Sequence, residues 1–121
     1  MAKKLVRLPR RALTDYDLRG FAKQLKIPFF RGVFMRDSLP QGGPRKNESA
    51  IVNLDTSEGA GTHWVAYRKR GKDVFYFDPM GNLRPPQAIS DYLGGTLRYN
   101  HDAFQTYNSY ECGHLCLQFL L

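Results

Sequence analysis

The sequence predicts an α+β domain in which a mixed, mainly antiparallel sheet is flanked by helices. Three observations lead there. Near the start, Leu18, Phe21, Ala22 and Leu25 recur at helical spacing and give one apolar face. Short runs rich in β-branched and aromatic residues, separated by turns containing Gly and Pro, fill the middle. The chain then ends on a second apolar run at three- and four-residue steps: Leu115, Cys116, Phe119 and Leu120. Helix, strands, helix, strand, helix is a segregated order, not the alternation of a parallel α/β fold.

Residues 1–12 are basic and aperiodic and read as an extended arm. Thr14 can cap the first helix, with Asp15 and Asp17 in its first turn, and Pro28 stops it. Phe29–Met35 reads as a buried strand or extended segment. Residues 36–49 carry Pro40, Gly42, Gly43 and Pro44 among charges and form a long loop. Three strands follow: Ser49–Leu54, Thr62–Arg68 and Lys72–Asp78. The last two are joined by Lys69-Arg70-Gly71, with Gly available for positive φ. Asp78-Pro79-Met80-Gly81 makes a turn. Pro85-Pro86 opens a short helix through Leu93, stopped by Gly94-Gly95. Thr96–Tyr99 is a fourth strand. Residues 100–111 form a loop, and the helix from Cys112 ends the chain.

That hairpin makes a chemical prediction. His63 opens its first strand and Asp78 closes its second. Antiparallel pairing brings them near one another, where neighbours interact across strands. The carboxylate can accept a hydrogen bond from one imidazole nitrogen, leaving the other free to take a proton. Cys112 falls in the first turn of the terminal helix. Unpaired backbone N–H groups and the positive dipole end favour a thiolate there. A thiolate beside a base is an activated nucleophile. Gln105, seven positions earlier, can reach the helix start and form an oxyanion hole with the Cys112 N–H. Each residue alone is ordinarily structural. It is their joint arrangement that points to nucleophilic catalysis.

The same residues resemble a family. Gly61-Thr-His63-Trp64, then Phe77-Asp78-Pro79-Met80-Gly81, then Gln105-x6-Cys112-Gly113 are similar, in that order, to the adenovirus-type cysteine proteases, the adenains. The wider group holds the ubiquitin-like-protein proteases. Phe30-Arg-Gly-Val-Phe34 and Ala50-Ile-Val-Asn53 extend the likeness upstream, so that it covers about Leu13 to Leu121. The resemblance implies a papain-like core and a single protease domain over 1–121. It makes Cys112 the nucleophile, His63 the general base and then acid, Asp78 its orienter and Gln105 an oxyanion donor. It sets Trp64 and Gly113 beside the substrate. It implies cleavage after Gly in viral-type precursor proteins or ubiquitin-like tails. Here Asp78 stands where adenovirus enzymes carry Glu. The chain stops nine residues after Cys112, whereas adenain continues, so a minimal or truncated copy is expected. Adenain is activated by DNA and by a peptide disulfide-linked to a Cys upstream of the nucleophile. No Cys precedes Cys112 here, which makes that linkage unavailable.

Composition bounds the alternatives. With 121 residues the chain has room for one modest core. No apolar run approaches the roughly 20 residues of a membrane-spanning helix. Met1-Ala-Lys-Lys-Leu-Val-Arg7 lacks the apolar core of a secretory signal. Two Cys four apart on a helix make no disulfide framework, which points to a reducing, intracellular setting; the resemblance implies that this is a nucleus or a viral particle. Cys112, His114 and Cys116 within one turn do not converge on one ion, so neither metal nor cofactor is expected. The net charge of +7 gathers in residues 3–11, at Arg45/Lys46 and at Arg68–Lys72. It makes non-specific DNA a candidate partner, beside the protein substrate of a monomeric enzyme. The competing reading is an inactive or DNA-associated basic binding domain of the same fold.

Overall fold

The computed structural model describes residues 7–55, 63–104 and 110–121. One sheet runs through it, its five strands in chain order: β1 (Phe30–Met35), β2 (Asn47–Asn53), β3 (Trp64–Arg70), β4 (Asp73–Phe77) and β5 (Thr96–Tyr99). The two central pairings, β2–β3 and β3–β4, are antiparallel. The two outer pairings, β1–β2 and β4–β5, are parallel. A parallel pair needs a crossover. Residues 36–46 supply the first, and helix α2 (Gln87–Leu93) lies in the second.

Three layers result. Helices α1 (Asp15–Gln24) and α3 (Cys112–Leu120) cover one face, and α2 covers the other. Strand β3 shows how the sheet is buried on both sides. Trp64 and Ala66 join the core under α1 and α3, while Val65 and Tyr67 join the core under α2. A strand covered on both faces reads as an unbroken apolar run rather than an alternation, as Trp64-Val-Ala-Tyr67 does. At nine residues, α3 is too short to be stable alone. Cys116, Leu117 and Leu120 hold it against the sheet. Each fully buried Leu is worth about 1.5–3 kcal/mol.

Local signals read from the sequence recur in the structure. Thr14 caps α1 in a reciprocal box: its hydroxyl accepts from the Asp17 N–H at 3.2 Å, and the Asp17 carboxylate accepts from the Thr14 N–H at 2.9 Å. The helix gives out at Leu25, three residues ahead of Pro28. Residues 7–12 have no regular structure, as expected of an arm, yet Leu8 packs on the core. Residues 1–6 lie outside the described residues.

Most strand boundaries shift by a residue or two, and two of the shifts have a visible cause. The hairpin turn is Gly71-Lys72, because Arg70 still pairs with Asp73. Gly71 takes φ +59° at the first central position, where type II′ turns want glycine. Strand β2 starts two residues early, at Asn47. The cause is Glu48, which is wholly buried. Its Oε1 accepts from Arg31 at 2.9 Å and from the Arg45 N–H at 2.8 Å. Its Oε2 accepts from the hydroxyls of Tyr67 and Tyr92, the latter at 2.8 Å. Arg31 also reaches the Gly43 carbonyl at 2.7 Å. One carboxylate thus joins β1, β2, β3, α2 and the crossover loop, and these bonds hold its pKa down against the opposing effect of burial.

Candidate active site

Cys112, His63 and Asp78 are brought together at one end of the sheet. Asp78 directly follows β4 and His63 directly precedes β3. Continuing the register from Ala66↔Phe77 sets Val65 opposite Asp78 and His63 on the diagonal. Diagonal neighbours are still within reach of a long side chain. The imidazole spans the gap, with Nε2 2.8 Å from Asp78 Oδ1. The displaced turn leaves the two residues on a diagonal and keeps the contact.

Asp78 is 1% exposed and held from several sides. Its Oδ1 also accepts from the Met80 N–H at 2.9 Å. Asn100 clamps its backbone: the Asn100 Oδ1 accepts from the Asp78 N–H at 2.8 Å, and its amide donates to the Asp78 carbonyl at 2.7 Å. The turn closes with Gly81 N–H to the Asp78 carbonyl at 2.9 Å. Gly81 has φ +77°, and a Cβ there would stand 2.6 Å from the backbone of Asp102 and Ala103. Only glycine lets these two chain segments meet. Asn100 escaped the sequence reading because an Asn after a strand looks like any turn former.

Cys112 is the first residue of α3 and 7% exposed. Burial pushes its thiol pKa up. Hydrogen bonding to His63, the Trp64 main-chain N–H, the positive charge on His63 and the Gly113 N–H together pull it below the ordinary value. For His63, burial pulls the pKa down. The Asp78 hydrogen bond, the Cys112 hydrogen bond and the charges of both groups outweigh it and lift the pKa to about 9. Since Nε2 is taken by Asp78, Nδ1 is left for the sulfur. The two shifts oppose one another in sense, and both favour a thiolate beside an imidazolium over a thiol beside a neutral ring.

Trp64 is buried, and its indole N–H donates to the Leu13 carbonyl at 2.9 Å. Its ring also lines a cavity of about 270 Å³ with Val33, Phe34 and Met35. Gly113 is buried as well. A Cβ on it would stand 3.2 Å from Leu13 and 3.3 Å from Leu18, so its environment is core packing rather than an open substrate surface. Gln105, Gly61 and Thr62 lie outside the described residues. Among the described residues no cluster of three His, Cys, Asp or Glu side chains could hold a metal ion, and no helix is long and apolar enough to cross a membrane.

No protein-family model matches the chain. It is 35% identical over 72 residues to a protease of Porcine adenovirus A serotype 3, and 29% identical over a 126-residue alignment to a protease of Bovine adenovirus 2. The likeness to the adenovirus proteases holds. The two matches take in 56% and 88% of this chain. The chain spans 34% and 60% of those relatives' lengths. In three dimensions it resembles the crystal structure of the ASFV pS273R protease. The TM-score is 0.59 at 17% identity, over 93% of this chain and 57% of that one. A selenomethionine form of the same protease gives 0.55 at 20% identity. This structural likeness is one of fold.

Proposed function

We propose that this chain is a cysteine protease domain, with Cys112 as nucleophile, His63 as base and then acid, and Asp78 as the group that orients His63. The observation that carries the reading is the opposed pair of shifts, His63 lifted to about 9 and Cys112 lowered, in side chains that also meet in space. The likeness to adenovirus proteases supports protein substrates. In the first step the Cys112 sulfur attacks the scissile carbonyl carbon. The C–N bond breaks as the imidazolium gives its proton to the leaving amine, and a thioester remains. Water then attacks the thioester, losing its proton to His63, and the acid departs from the regenerated thiolate. The Cys112 N–H and Gln105 would hold the oxyanion.

Cleavage after Gly in viral-type precursor proteins or ubiquitin-like tails follows from the family likeness, as does action inside a cell or virion. The +7 charge supports non-specific DNA as a further partner of a monomeric enzyme. The test is alkylation of Cys112 by iodoacetamide across pH, in wild type and in His63→Ala. A poised pair alkylates well below the ordinary thiol pKa of about 8.5, and does so only with His63 present. Slow labelling, unchanged in His63→Ala, would instead favour an inactive binding domain of the same fold.

A further inference from the structure

Beyond the residues that would do the chemistry, one segment touches both sides of the pair. The sulfur and the imidazole stand on different elements, α3 and the lead-in to β3. Residues 8–13 contact the chain neighbours of each. The Leu13 carbonyl accepts the Trp64 indole N–H at 2.9 Å, one residue from His63. The Leu13 side chain fills the space beside Gly113, one residue from Cys112. The Pro9 carbonyl accepts from His114 Nε2 at 2.7 Å, two residues from Cys112. Between these two contacts the segment is tied to α1, where Arg11 pairs with both Asp17 oxygens at 2.7 and 3.3 Å. The Trp64 main-chain N–H in turn reaches the Cys112 sulfur.

We propose that Leu8–Leu13 is a positioning strap, clipped through Pro9–His114 to the nucleophile helix and through Leu13–Trp64 to the histidine strand, that sets the sulfur–imidazole distance. This rests on the reading of Cys112 and His63 as the reactive pair. A simple apolar cover would need Leu8 and Leu13 but no directional hydrogen bonds. Two such bonds to the two halves of one site are what a spacer requires. Misplacement of reacting groups by about 1 Å costs on the order of a hundredfold in rate, so slack in one clip has a measurable effect.

The experiment measures iodoacetamide alkylation of Cys112 against pH in the full chain. His114→Phe keeps the apolar cover and loses the donor, whereas His114→Gln keeps an N–H donor. His114→Phe is expected to alkylate about tenfold more slowly at pH 7, its acid limb raised by about one unit. His114→Gln is expected within about threefold of wild type, a difference of about 0.65 kcal/mol. If His114→Phe does not fold by circular dichroism, Trp64→Phe, which loses the other clip's donor along with part of the ring, is expected to show the same slowed alkylation and raised acid limb, and a wild-type profile in it overturns the strap. A folded His114→Phe with the wild-type profile overturns the strap, and so does an equal loss in His114→Gln. A wild-type thiol that titrates ordinarily overturns both the protease reading and the strap, since no poised pair exists to be held.

Discussion

Asp78→Asn is the perturbation that most directly tests how the pair is poised. The substitution preserves shape and removes one buried charge. An Asn oxygen can still accept from Met80 and His63, so the local bonds need not break. What is lost is the attraction of a carboxylate for the imidazolium. The lift of His63 from 6.5 to about 9 amounts to about 3 kcal/mol of preference for the charged ring. Burial opposes that lift and the Asp78 hydrogen bond is the largest contribution sustaining it; a hydrogen bond to a charged group is worth roughly 1.5–3 kcal/mol, so about 2 kcal/mol is lost with the carboxylate. The ratio of ion pair to neutral pair then falls roughly 30-fold. Turnover, which also loses the orienter, falls by about 10²–10⁴-fold, as when such a carboxylate is neutralised in other triads. Iodoacetamide alkylation reads the first effect without a substrate: the acid limb of the Asp78→Asn profile moves toward the ordinary thiol value. Stability supplies a second sign. Because the His63 pKa is higher in the folded chain, its contribution is complete below about pH 6.5 and is lost as pH rises through about 9. The wild-type advantage over Asp78→Asn in unfolding midpoint is therefore largest near pH 6 and vanishes above 9. An unmoved acid limb, or an advantage that grows with pH, refutes this account of the site.

Two further substitutions probe the frame around it. Gly81→Ala forces a methyl to within 2.6 Å of backbone at φ +77° and should destabilise by roughly 1–3 kcal/mol, read by urea unfolding. The same variant should lower Cys112 alkylation, since the turn it disturbs carries Asp78 and abuts the Asn100–Ala103 segment. Glu48→Ala leaves Arg31 without its carboxylate inside the fold, a change worth about 3–5 kcal/mol of stability by denaturant titration. Its effect on Cys112 in the folded fraction should be small, because the Glu48 network lies at the hairpin-turn end of β3 and His63 at the other.

Much of the architecture was legible because it rests on short-range signals. Thr14 with Asp17 three residues on is a cap that can be read from four letters, and the reciprocal box forms. Gly94 ends α2 at φ +57°, the backbone region glycine enters without cost. The His63–Asp78 approach could be read from one hairpin, although the turn moved by a residue and the contact is diagonal. Glu48 was missed because a charged residue amid polar neighbours looks like loop. Its burial depends on Arg31 17 positions earlier and Tyr92 44 positions later.

The sequence by itself determined which side chains are candidates for reactive chemistry, and where helices start and hairpins fold back, since side-chain type and periodicity are properties of a short window. Only the tertiary structure decided the parallel outer strands, the Asn100 clamp on Asp78, and the passage of Leu8–Leu13 between Trp64 and His114. Those depend on which surfaces meet after the sheet is buried on both faces. Two residues that meet only then share no spacing that the chain could display beforehand.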